Sequence, residues 1–104
     1  MSSVTTPFTE KHATLRAGGK TDPTALAGAI THVVISEGEA KLSCIGPDAV
    51  NVAIKGIIIA RSMLITQGKD LNVTPNFFED PHPDPTKAGD KICGIRLHIK
   101  SIDA

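Results

Sequence analysis

The sequence predicts an α/β two-layer sandwich with the order β-α-β-α-β-β, two helices lying on one face of a four-stranded mixed sheet. Three observations predict it. Two long stretches carry apolar residues at helical spacing, and four others alternate apolar and polar faces. The chain has 104 residues, enough for one core and not for two.

Each element has its own signal. Ala13 to Gly18 is the first strand candidate, with Leu15 and Ala17 on one face. Asp22 then stands where a helix N-cap accepts a hydrogen bond, and Pro23 fits the first helical position. Leu26, Ile30, Val33 and Val34 follow at i, i+4, i+7 and i+8, so a helix runs from about Asp22 to Glu37, and Gly38 ends it. Ala40 to Gly46 reads as the second strand, with Leu42 and Cys44 on one side and Ile45 on the other. Gly46-Pro47-Asp48 turns the chain into a second helix reaching Ile65. At 100° per residue, Val50, Ala53, Ile54, Ile57, Ala60 and Leu64 form its sheet-facing side, and Asp48, Asn51, Lys55 and Ser62 form a polar stripe. Val52, Ile59 and Met63 flank that stripe, so the helix is apolar almost all round and is expected to meet a second neighbour.

Asp70 to Thr74 is the third strand, which Pro75 is expected to end. Residues 79–91 hold Pro81, Pro83 and Pro85 among Glu79, Asp80, Asp84 and Asp90, and are expected to stand off as an acidic arm. Ile92 to Ile102 closes the sheet, with Ile95, Leu97, Ile99 and Ser101 on one face and Arg96, His98 and Lys100 on the other. Residues 1–12 are Ser/Thr-rich and without period: an extended tail preceding the 13–104 domain, expected to be held by a protein partner or neighbouring subunit.

Composition narrows the function. Lys+Arg and Asp+Glu are both 11, so net charge is zero and a strongly cationic nucleic-acid compactor is excluded. The aromatics are Phe8, Phe77 and Phe78 alone, too few for a base-stacking platform. The longest apolar run, Ile57 to Ala60, is far short of a membrane span, and no signal core opens the chain, so a cytoplasmic protein without membrane contact is expected. Cys44 and Cys93 have no C-x-x-C spacing and read as reduced thiols. His12, His32, His82 and His98 share no ligand spacing with cysteines or acids, so no metal is expected. Gly18-Gly19-Lys20-Thr21 ends like a phosphate loop but lacks the first glycine at its spacing, and Asp22-Pro23 follows at once. With no nucleophile motif either, neither enzyme activity nor a cofactor is expected.

Several motifs carry a resemblance. Gly28-Ala-Ile, Ile45-Gly-Pro-Asp-Ala-Val-Asn-Val-Ala-Ile-Lys55 and Ile58-Ile-Ala-Arg61 are among them. Gly68-Lys-Asp-Leu71, Pro75-x-Phe77 and Gly94-Ile-Arg-Leu-His-Ile follow in order. Together they resemble the stage V sporulation protein S family, itself similar to the Alba-type nucleic-acid-binding proteins. The resemblance implies an Alba-like fold, a non-enzymatic role in sporulation, and a homodimer or higher homo-oligomer that binds nucleic acid. By position it carries the family's Asn, Lys and Arg onto Asn51, Lys55 and Arg61, and places Lys20 where Alba-type proteins hold a phosphate-contacting lysine. This chain departs from the family at Gly46-Pro47-Asp48-Ala49, where a carboxylate occupies the helix start, and in the acidic 79–91 arm.

Two functions of different class follow. The first is a nucleic-acid-associated regulatory protein that binds phosphate backbone on a dimer surface through Lys20, Asn51, Lys55 and Arg61, with Arg16 nearby. The second is a structural or interaction module that assembles through Val52, Ile59 and Met63 of the second helix, the tail and the acidic arm. Arg61, near Ile54 on the wheel, also fits a salt-bridged structural role.

Overall fold

The computed structural model describes residues 14–82, 84–87 and 89–104. The elements are β1 (Thr14–Ala17), α1 (Pro23–Glu37), β2 (Glu39–Cys44), α2 (Pro47–Ile65), β3 (Lys69–Pro81) and β4 (Lys91–Asp103), with a 3-10 turn at Pro85–Lys87. The sheet runs β1-β2-β4-β3. Its β1–β2 pair is parallel and the others antiparallel, so this is the mixed four-stranded sheet expected. The tail expected over residues 1–12 lies outside the described residues.

Local chemistry sets the helix ends. The Asp22 carboxylate accepts from the Thr24 N–H at 3.3 Å ahead of Pro23. At the other end Gly38 takes φ 85°, and its N–H donates to the Val34 carbonyl at 2.8 Å. Both helices cover one sheet face. Ile30 of α1, Leu64 of α2, Leu42 and Cys44 of β2 and Ile99 of β4 are fully buried between the layers. Each large aliphatic side chain there contributes about 1.5–3 kcal/mol of transfer free energy.

Two expectations are corrected. The first concerns α2, which is continuous but turned about its axis by about 60° from its expected setting, at 100° per residue. Val52 is 8% exposed and belongs to the core, whereas Ile54, assigned to the sheet side, is 43% exposed. Ile59 is half-buried against the core, and Met63 is exposed, its sulfur accepting from the Thr31 hydroxyl at 3.7 Å. The cause is α1. It packs against the flank that carries Val52 and Gly56, where a Cβ on Gly56 would lie 2.9 Å from a Leu26 methyl. The second neighbour that α2 demands on that flank is the other helix of its own chain.

The second correction concerns β3. It does not end at Pro75 but runs on to Pro81, paired throughout with β4 from Lys69↔Asp103 to Pro81↔Lys91. Residues 79–81 and Lys91 are therefore strand, and the loop shrinks to a tip in which His82 N–H donates to the Asp90 carbonyl at 3.2 Å. Proline is tolerated because β3 is an edge strand, where a missing donor can face away from the ladder. A strand of 13 residues spans about 43 Å. The 19 residues of α2 span about 28 Å. The hairpin consequently overshoots the helix layer.

Candidate functional site

Among the described residues the sheet has one face covered by helices and one bare, and alternation along each strand sorts the side chains. Register lines up the bare face in rows. One row runs Arg16 (β1), Ser43 (β2), Arg96 (β4) and Asn76 (β3). The next runs Thr14, Lys41, His98 and Thr74, and the third Glu39, Lys100 and Asn72. At the other side of the Arg row, Phe78 pairs with Gly94.

Several contacts fix this surface. Arg96 Nε donates to Ser43 Oγ at 3.1 Å, and its guanidinium sits 4.5 Å from the Phe78 ring centroid, a cation–π contact. Gly94 makes the stack feasible: a Cβ there would meet the Phe78 ring at 2.6 Å and the Cys44 carbonyl at 2.5 Å. His98 Nε2 contacts a Glu39 carboxylate oxygen in the next row. Between β1 and the hairpin base lies a cleft of about 320 Å³, lined by Arg16, Gly18, Ser43, Phe78, Asp80 and Arg96 among others.

Some cations are paired and others are not. Arg61 is held by Asp70, Lys69 by Asp103 and Lys91 by Glu79. Among the described residues, Arg16 and Arg96 on the bare face have no carboxylate within ion-pair distance, and neither does Lys100. Three unpaired cations of this zero-net-charge chain thus share one sheet face, while Lys20, Lys55 and Lys87 stand unpaired elsewhere among the described residues.

The residues expected from sequence do not all converge. Lys20 lies in the turn after β1, next to the row that begins at Arg16. Asn51 and Lys55 are exposed on α2, in the opposite layer. Arg61 Nε and Nη2 donate to the Asp70 carboxylate at 2.5 and 3.1 Å, which ties the end of α2 to the start of β3. Arg96, Ser43 and Phe78 are not among the site residues that the sequence suggests. The alternation of the last strand put Arg96 with Lys100, and the missing information was which neighbours register brings beside them.

A second feature lies in the helix layer. Where the hairpin overshoots, Phe77 is 89% exposed beside an apolar groove of about 640 Å³ lined by Val50, Asn51, Ile54, Cys93 and Ile95 among others. Ile58, one turn further along α2, is 58% exposed. Cys44 and Cys93 both line this groove as free thiols, and burial pushes the Cys44 thiol upward from its ordinary value.

The arrangement defines a class: a small α/β two-layer sandwich with a cationic, uncovered sheet face and an apolar groove behind its long hairpin. The sequence also matches the model of the family described as Stage V sporulation protein S, over residues 13–101. The chain belongs to that family, and so to a group of sporulation proteins. None of its described helices is long and apolar enough to cross a membrane.

Proposed function

We propose that this protein is a non-enzymatic, nucleic-acid-associated regulator of sporulation that acts in the cytoplasm as a homodimer and holds phosphate backbone on its bare sheet face. The observation that carries this reading is that Arg16, Arg96 and Lys100 lie together on one sheet face, none of them with a carboxylate partner among the described residues. Polar side chains of Asn72, Thr74 and Asn76 alternate along β3 on the same face and add neutral donors. The resemblance to Alba-type proteins supports the same class of ligand, and Lys20 borders this face. Asn51 and Lys55 lie across the molecule, where a backbone held on the sheet does not reach them.

The test is a titration of the full chain with labelled single-stranded and duplex DNA and RNA at two salt concentrations. Three cations held against the backbone predict that log K falls with log[salt] at a slope of about −3. Binding absent at low salt, or insensitive to salt, overturns the reading.

A second reading, a module that assembles with further copies of itself, is favoured by one observation: Phe77 stands out beside an apolar groove on the same surface. A knob and a hole on one patch are what a two-fold interface requires.

A further inference from the structure

We infer that Arg16, Ser43 and Arg96 form a phosphodiester clamp, in which two guanidinium groups on β1 and β4 straddle the short serine of β2 and grip one backbone phosphate. This rests on the nucleic-acid reading above and names the atoms that would deliver it.

Three features of the cleft converge. The first is spacing. The three residues are in register across adjacent strands, which lie about 4.8 Å apart, so the two arginines rise about 10 Å from each other with only a hydroxyl between them. A trough of that width admits a tetrahedral anion to both forks at once, the geometry in which arginine outperforms lysine. The second feature is preorganisation. Arg96 is held at its root by Ser43 Oγ and along its plane by the Phe78 ring, so little side-chain freedom remains to be lost on binding. Arg16 is exposed and has no partner among the described residues, leaving its donors available.

The third feature is charge. Asp80 lines the same cleft, so two cations and one carboxylate leave it a net charge of one positive unit. That balance matches the single negative charge of a phosphodiester better than the near-dianion of a terminal phosphate. The Phe78 ring lies over Gly94 with Arg96 stacked on it, so the ring is already engaged and gives no free platform for a base. The clamp therefore holds backbone without reading sequence.

The experiment compares wild type with R16Q, R96Q, R96K, D80N and K69Q, all as full chains, by anisotropy with a labelled oligonucleotide. R16Q and R96Q are each expected to lower the salt slope by about one and to weaken binding to all sequences alike. R96K keeps the charge but loses the fork, and is expected to bind nearly as weakly as R96Q. D80N is expected to bind more tightly. K69Q, which removes a cation paired with Asp103 on the other face, should match wild type. R16Q is the decisive variant, since Arg16 is exposed and has no hydrogen-bond or ion-pair partner among the described residues. If wild type binds with a steep salt slope and R16Q and R96Q behave like K69Q, the clamp is overturned while the nucleic-acid reading stands.

A second arm separates the opposite failure. Arginine Nε–H resonances are followed by NMR as the wild-type protein is titrated with a dinucleotide carrying one phosphodiester, and separately with inorganic phosphate. Arg16 and Arg96 shifting together, at lower concentrations of the dinucleotide, supports the clamp even if longer nucleic acid fails to bind. Inorganic phosphate acting as strongly as the dinucleotide, or neither signal moving, overturns it.

Discussion

Asp70 shows how much one side chain can organise. Its carboxylate accepts from both Nε and Nη2 of Arg61 and, at 2.7 Å, from the Leu71 N–H, so it fastens the last turns of α2 to the first residues of β3. The Arg61 hydrogen bond, and after it the Leu71 N–H, hold the Asp70 carboxyl below the usual carboxylate range. Asp84 is lowered as well, by the Thr86 N–H and then its hydroxyl. A carboxyl depressed in the folded state stabilises the fold above its unfolded pKa of about 3.9, and that stability is lost as pH falls through the folded value. Urea midpoints are therefore expected to drop on acidification below about pH 4. D70N should show a visibly shallower drop and a lower midpoint at neutral pH. A wild-type acid limb retained unchanged in D70N would remove the pair from this account.

At the scale of elements, the crossing of α1 on α2 depends on Gly56. A methyl there would lie 2.9 Å from one carbon of Leu26 and 3.1 Å from the next, and Leu26 is itself buried. Gly56→Ala trades better helix propensity for this overlap and is expected to cost about 1–3 kcal/mol. Thermal or urea denaturation of the variant measures it, and a gain in stability would show that the helices separate freely. The same crossing explains what was legible in the sequence and what was not. The ends of α1 could be read because Asp22, Pro23 and Gly38 act within a turn of themselves. The setting of α2 could not, because Val52 is turned inward by a helix some twenty residues away in sequence. Pro75 and Pro81 read as strand breaks for a similar reason: only the final strand order makes β3 an edge. The alternation of β4 put Arg96 on the bare face, yet Ser43 and Arg16 join it through a register that no local pattern encodes.

At the scale of the whole molecule, the two faces are different in kind. The bare sheet is polar and cationic, while the helix side carries Ile54 and Ile58 in the open near the projecting Phe77. If copies associate, the apolar side is where burial would repay the lost freedom of two molecules. Sedimentation velocity of wild type is expected to show a species larger than the 10.9 kDa chain, and Phe77→Glu to shift it toward the monomer. A wild type that sediments as a monomer at every concentration rules the association out.

The prolines of β3 limit how such copies can meet. An unprotected outer strand offers a regular row of amide donors on which a stranger's strand can grow, the usual route to uncontrolled stacking. Pro75 and Pro81 remove donors from the strand that forms this margin, and in edge strands the gap falls on the solvent side. Growth of the ladder from this border is thereby discouraged, and higher-order contact is left to side chains, which can be selective about their counterpart.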